Sequence, residues 1–282
     1  MNRQGNKMTH PKHDHDHGLK HDMPAMFSRR NTLMTLAGVG AVAAFAGYRS
    51  FGQAETLTTA SDGSVCVLDA SETAGPYPAD GTNAKAGQTV NVLDDSGVIR
   101  EDLRPSFAGM TPTADGLELS LELQVLNVNN ACTPLANHAL YLWHCDAVGK
   151  YSLYDETDRN YLRGVGITDA NGIVRFATIF PGCYDGRWPH FHFEVFASPQ
   201  DITSGRDSLL ISQLALPHAE CAAVYESDAR YSNGTRNLGR QSLTRDMVFS
   251  DSSQAQMDQR TIALTGAAKS GYAGTATIAI SA

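Results

Sequence analysis

The sequence predicts an all-β protein, an antiparallel β-sandwich with an irregular N-terminal lead-in and a C-terminal extension. Three observations carry that reading. Residues 117–125, Leu-Glu-Leu-Ser-Leu-Glu-Leu-Gln-Val, alternate apolar and polar without a fault, as a strand with one face in a core and the other in water requires. Further apolar runs of strand length recur at 139–144, 173–179, 190–196 and 209–216, separated by turn-forming residues. No long stretch shows the apolar period of an amphipathic helix, so sheet packed on sheet is the available way to bury these faces.

The chain divides into three parts: a His-rich segment, 1–27; an export signal, 28–54; and the β-sandwich domain, 55–282, long enough to bury a substantial core. His10, His13, His15, His17 and His21 alternate with Asp and Lys and have no apolar partner, the pattern of a solvated tract rather than a metal cage. Ser28-Arg29-Arg30-Asn31-Thr32-Leu33-Met34, an apolar run to Gly47 and the exit Gln53-Ala54 match a twin-arginine signal, with cleavage near Ala54. An apolar run of about 15 residues falls short of a bilayer span, so no stable membrane insertion is expected after signal removal, and the protein is expected to be periplasmic or extracellular. A formal charge of −8 supplies no basic field for phosphate backbones, which excludes nucleic acid as a partner. All five cysteines follow the signal and would meet an oxidising compartment; the odd number leaves one over, and the pairing is open.

Within the body, residues 55–89 are rich in Gly, Ser, Thr, Ala and Pro and read as the irregular lead-in, with Gly75-Pro76-Tyr77-Pro78 as a turn. Residues 94–107 carry Val98, Ile99 and Leu103 among charges and pass across a core edge. The strand at 139–144 ends on His144, read as structural, before a polar loop that reaches Tyr151. Asp169-Ala170-Asn171-Gly172 predicts a tight hairpin joining 167–168 to 173–179, because Asn-Gly supplies positive backbone torsions. In the 180–193 stretch, Pro181, Gly182, Gly186 and Pro189 force repeated turns before a strand that sends His190 and His192 to one face and Phe191 and Phe193 to the other. Strands at 209–216, 260–265 and 275–280 complete the body, the last two joined by a Gly-rich turn.

A His-x-His pair alone is weak evidence for a metal, and no Asp, Glu or Cys stands at the spacing of a zinc or calcium cage. The remaining ligand candidates are Tyr151 and Tyr184. A phenol with a free pKa near 10 gives up its proton at neutral pH only to a strongly acidic cation, and ferric iron is the natural choice.

Five motifs in order then carry a family resemblance: Glu72-Thr73-Ala74-Gly75-Pro76-Tyr77; Trp143-His144-Cys145-Asp146-Ala147 with Gly149-Lys150-Tyr151-Ser152; Tyr161-Leu162-Arg163-Gly164; Thr168-Asp169-Ala170-Asn171-Gly172; and Pro181-Gly182-Cys183-Tyr184 with Gly186-Arg187 and His190-Phe191-His192. Across residues 66–217 the chain resembles the intradiol ring-cleavage dioxygenases, the catechol and protocatechuate dioxygenase type, here in an exported form. The resemblance implies Fe(3+) held by Tyr151, Tyr184, His190 and His192. Tyr184 would be the ligand that leaves when substrate arrives, Arg187 the charge stabiliser, and Pro76, Tyr77 and Gln213 the substrate contacts. It further implies a catechol-type substrate opened between its hydroxyls by O2 to a muconate-type dicarboxylate, and a possible homo-oligomer. Two tyrosinates, two neutral histidines and a hydroxide neutralise Fe(3+), so such a centre can be buried. The competing expectation is a transthyretin-like β-sandwich that binds metal or an aromatic ligand without turnover. Which catechol is used stays open, as does whether Arg163 faces the substrate.

Overall fold

A computed structural model of the chain describes residues 56–60, 63 and 65–282; the His-rich segment and the stretch expected to be a twin-arginine signal lie outside the described residues. Among the described residues thirteen strands run in order: β1 (Leu57–Thr59), β2 (Val65–Val67), β3 (Asp80–Lys85), β4 (Gln88–Asn91), β5 (Glu118–Asn127), β6 (Thr133–Pro134), β7 (Ala139–Trp143), β8 (Arg163–Ile167), β9 (Ile173–Ile179), β10 (His190–Phe196), β11 (Leu210–Ala215), β12 (Ala263–Ala267) and β13 (Gly271–Ile280). Three short helices, α1 (His218–Ser227), α2 (Gly234–Leu238) and α3 (Gln254–Arg260), fall between β11 and β12. Among the described residues the fold is therefore mostly strand, as expected, and the α-helices lie in the C-terminal extension.

β11, β10, β7 and β8 form one four-stranded sheet, and β12, β13, β5, β6 and β9 form a second of five strands. One hydrophobic cluster takes Leu119, Leu121, Leu123 and Val125 from β5, Phe176 from β9, Leu140 and Leu142 from β7, and Phe191 and Phe193 from β10, so the inner faces of both sheets enclose it. The faultless alternation of β5 is its burial pattern: Leu119, Leu121, Leu123 and Val125 are buried while Glu118 and Ser120 are exposed. β7 and β10 are buried along their whole lengths. Their outward residues, among them Tyr141, Trp143 and Phe196, join a second cluster with Ala74, Ala79, Tyr151 and Tyr154, so the lead-in and the loop after β7 roof the outer face of the four-stranded sheet.

Four expectations need correction or completion. The five-stranded sheet is not purely antiparallel, since β13 runs parallel to β5 from Tyr272↔Leu119 to Ile280↔Asn127. A two-residue turn enforces an antiparallel pair, but these strands are linked through most of the domain, so no turn dictates their direction. Asp169–Gly172 does not make a hairpin: β8 pairs with β7 and β9 with β5, so the turn carries the chain from one sheet to the other. Gly172 alone takes a positive φ (71°), whereas a hairpin of type I′ needs two such residues in succession; Asp169 Oδ1 instead accepts the N–H groups of Asn171 and Ile173. Successive positive torsions occur at Ala86 (50°) and Gly87 (80°), joining β3 to β4 inside the lead-in that was read as irregular. Finally, Cys66 and Cys132 form a disulfide, while Cys145, Cys183 and Cys221 are free and buried. Residues 94–107 do cross the core edge: Arg100 N–H reaches Val165 O on β8 and Leu103 N–H reaches Ala177 O on β9, with Leu103 fully buried.

Candidate metal centre

β10 sits between β7 and β11, and His192 lies opposite Trp143 on one side and Gln213 on the other. The indole of Trp143 stacks flat on the His192 ring, centroids 4.9 Å apart and 6° from parallel, which fixes the imidazole plane. The Nδ1 atom of His190 lies against the backbone carbonyl of Trp188. A carbonyl only accepts, so Nδ1 carries the proton and Nε2 presents its lone pair. Burial pushes His190 down to about 3 and His192 well below the usual histidine range, so both rings are neutral donors of electron pairs.

Tyr151 arrives from the loop after β7. Asp146 shapes that loop by accepting Val148 N–H at 3.0 Å and Lys150 N–H at 2.9 Å, and Asp155 Oδ2 accepts Tyr151 N–H at 2.8 Å. Tyr184 comes from the bent segment before β10, which passes so close that a Cβ on Gly149 (φ 88°) would sit 2.9 Å from Tyr184 Cβ. The C-terminal helical region ties this segment from behind. Tyr225 Oη donates to Pro181 O, Tyr231 Oη to Phe180 O and Asn237 Nδ2 to Cys183 O, at 2.8–2.9 Å.

The four side chains meet. His190 Nε2 and His192 Nε2 are 3.0 Å apart, Tyr151 Oη is 3.2 Å from His192 Nε2, and Tyr184 Oη is 3.4 Å from His190 Nε2. Donor atoms bound to one ion at roughly 2.1 Å, between 90° and tetrahedral angles, stand roughly 3.0–3.4 Å from one another. The cluster therefore fits a common cation of that size. Among the described residues no three His, Cys, Asp or Glu side chains gather as a metal cage, so the donor set is half phenolic. Burial, then the neighbouring Tyr184, pushes the Tyr151 phenol well above its usual value; a cation is what would ionise it. Tyr151 is 2% exposed and Tyr184 only partly buried, so the two oxygens differ in their freedom to move.

The other expected residues surround this cluster. Gly75 lies on the loop over His192, where an added Cβ would be 3.3 Å from Cε1, and Tyr77 packs its ring 5.0 Å from Tyr151. Pro76 O accepts Asn83 Nδ2, which holds the loop to β3. Arg187 is fully buried, pairing Nε with Asp246 Oδ2 at 3.0 Å and Nη2 with Gln213 Oε1 at 2.7 Å. Gln213 also donates Nε2 to Thr73 O, so both ends of its amide are engaged with protein. Arg163 does not face the substrate side as a free cation: its guanidinium is spent on Tyr77 O, Pro78 O and both oxygens of Ser152. His144 is structural, bound to Cys145 O and Thr178 Oγ1. Sequence reasoning missed Asp246, which lies 59 residues from Arg187 in a stretch with no motif.

The family model described as Dioxygenase matches residues 105–191. An intradiol ring-cleavage dioxygenase from Tetranychus urticae superposes with a TM-score of 0.56 at 22% identity, covering 76% of this chain and 94% of that one. The chain has an intradiol-dioxygenase fold. Further similar structures are the dioxygenase domain of a dioxygenase carbohydrate-binding fusion from Streptomyces sp. SirexAA-E (22% identity, 76% and 97% covered, TM-score 0.45) and 3-chlorocatechol 1,2-dioxygenase from Rhodococcus opacus 1CP (20%, 64% and 64%, 0.41). No curated protein sequence matches. In this fold the matched segment ends at Phe191, between the two histidines of the cluster.

Proposed function

We propose that this protein is an intradiol ring-cleavage dioxygenase that uses Fe(3+) and O2 to open a catechol-type ring between its two hydroxyls, giving a muconate-type dicarboxylate. The observation that carries the reading is the convergence of two phenols and two neutral imidazoles, all at distances suited to one small cation. Tyr151, Tyr184, His190 and His192 would hold the metal. A bound ferric ion would supply Lewis-acid chemistry, lowering the pKa of the phenols and withdrawing electron density from a catechol ring.

This chain's own residues do the rest. Tyr184, partly exposed, is the exchangeable oxygen: its Oη takes one proton as the catechol arrives, while Tyr151, fully buried, stays in place. Burial of both histidines keeps them uncharged throughout. Gly75 beside His192 and Tyr77 beside Tyr151 bring the Gly75-Pro76-Tyr77 loop over the cluster, where Pro76 and Tyr77 would wall the substrate side. Arg187 supplies fixed positive charge to the substrate oxygen that gains charge, a preorganised contribution on the order of 3 kcal/mol. The two sheets serve as a sandwich that holds β10 rigid beneath the cluster. Export by the twin-arginine route to the periplasm or beyond belongs to the same reading; the Cys66–Cys132 disulfide supports an oxidising destination.

The test is purified iron-loaded protein offered catechol, hydroxyquinol and protocatechuate under O2, with the product weighed by mass spectrometry. We expect a burgundy protein, coloured by tyrosinate-to-iron charge transfer, and a product heavier than substrate by both atoms of O2. A colourless iron-replete protein without ring-opened product would refute the reading.

A further inference from the structure

Arg187 is held at a specific orientation by the side chains of Asp246 and Gln213, neither of which is among the four donors. Its side chain and that of Asp246 are each 1% exposed, and Nε and Nη2 both face the Asp246 carboxylate, at 3.0 and 3.2 Å. Nη2 gives its second hydrogen to Gln213 Oε1 at 2.7 Å. Nη1 takes part in none of these bonds, and the guanidinium lies within electrostatic reach of Tyr184 and Tyr151. A planar guanidinium gripped along one edge has its remaining corner fixed in direction. Asp246 is itself anchored: it accepts the backbone N–H of Trp188 at 2.8 Å and of Val248 at 2.9 Å, so the same carboxylate ties Arg187, the start of β10 and the segment after α2 into one unit.

We propose that Asp246, with Gln213 beside it, is a positioning residue for the reaction: it grips Arg187 by Nε and Nη2 so that Nη1 alone is presented to the oxygens reacting at the Tyr151–Tyr184 side. The inference rests on the ring-cleavage reading and adds a residue that neither the motifs nor the donor cluster contains. Its chemical sense is that a fully charged arginine beside a metal would otherwise swing toward any anion. Gripped from behind, it donates in one direction, and misplacement by about 1 Å costs on the order of 100-fold in rate.

The experiment is a double-mutant cycle on the iron-loaded enzyme with catechol, using Asp246→Asn, Arg187→Gln and the pair. Asp246→Asn keeps a single acceptor oxygen, enough for one of the two backbone N–H groups, since Trp188 N–H goes to Oδ2 and Val248 N–H to Oδ1. We expect kcat to fall on the order of 100-fold with KM changed less than about threefold, and iron content and colour as in wild type. In the Arg187→Gln background the same change should cost less than about threefold, because the residue it positions is gone. Gln213→Met, which removes the other grip on Nη2 and leaves Asp246 untouched, should show the same dependence on Arg187 should the Asp246 variant fold poorly. Equal losses from Asp246→Asn, or from Gln213→Met if that substitution is the one read, in both backgrounds would overturn the inference while leaving the ring-cleavage reading standing. A wild-type enzyme that opens no catechol would overturn both.

Discussion

Replacing Arg187 by Met separates the charge from the packing, since the apolar stem is kept while Asp246 loses its partner. In the intact protein burial would raise the Asp246 carboxyl, but the Arg187 guanidinium and the Trp188 and Val248 N–H groups outweigh it and hold the acid below its usual range. Breaking a buried pair from one side costs about 3–5 kcal/mol, chiefly from the charge left behind. Here the carboxylate keeps its backbone donors, which places the expected loss near the lower end, about 3 kcal/mol. For a chain of this size that lowers Tm by about 6–12 °C. The sign of the pH dependence follows. Without Arg187, burial lifts the folded pKa of Asp246 above its unfolded value near 3.9. Stability linked to that group is then fully present below the unfolded value and is lost as pH rises through the folded one. In the wild type the folded pKa is depressed, so the linked stability is present above 3.9 and is lost as pH falls through it. The deficit of Arg187→Met should therefore widen from pH 4 to pH 7, and adding Asp246→Asn should recover at least half of it. Urea denaturation of both proteins across that range is the assay. A deficit that is absent at pH 7, or that does not change with pH, would refute the claim that Asp246 is an ionised buried partner of Arg187.

Two other predictions follow from the loop and the disulfide. Gly149→Ala puts a Cβ 2.9 Å from Tyr184 Cβ at a positive φ of 88°; ordinary contact begins near 3.4 Å, so Tyr184 must move by about half an ångström, and ring cleavage should fall about tenfold with iron binding retained. Turnover and charge-transfer colour indistinguishable from wild type would show that Tyr184 is not held by this contact. Closing a loop of 66 residues, Cys66–Cys132 should contribute about 4 kcal/mol on the chain-entropy account, read as a drop in urea midpoint on reduction. An unchanged midpoint would mean that the β1–β2 lead-in is not coupled to the main unfolding step.

The strands were legible because alternation is a local property: β5 shows in residues 117–125 whichever sheet it joins. Its parallel partner was not, since β13 meets it through the rest of the domain and no short turn records the direction. Asn171-Gly172 misled for the opposite reason. A turn signal is local, but whether the chain then pairs or crosses to the other sheet is decided by where the flanking apolar faces find their core.

The same division runs through the site. The residue types that would suit a ferric centre were visible in Tyr151, Tyr184, His190 and His192, because strand periodicity alone puts both histidines on one face. Their convergence to 3.0–3.4 Å belongs to the tertiary structure, which brings the loop after β7 onto β10. So does the fate of the arginines. Arg163 and Arg187 look alike in sequence, yet one is spent on backbone carbonyls and the other is gripped by Asp246 and Gln213. Sequence by itself determined which side chains were available for chemistry and which faces had to be buried. The tertiary structure decided which of them are neighbours, because charge pairing and donor geometry depend on distances that a linear order does not carry.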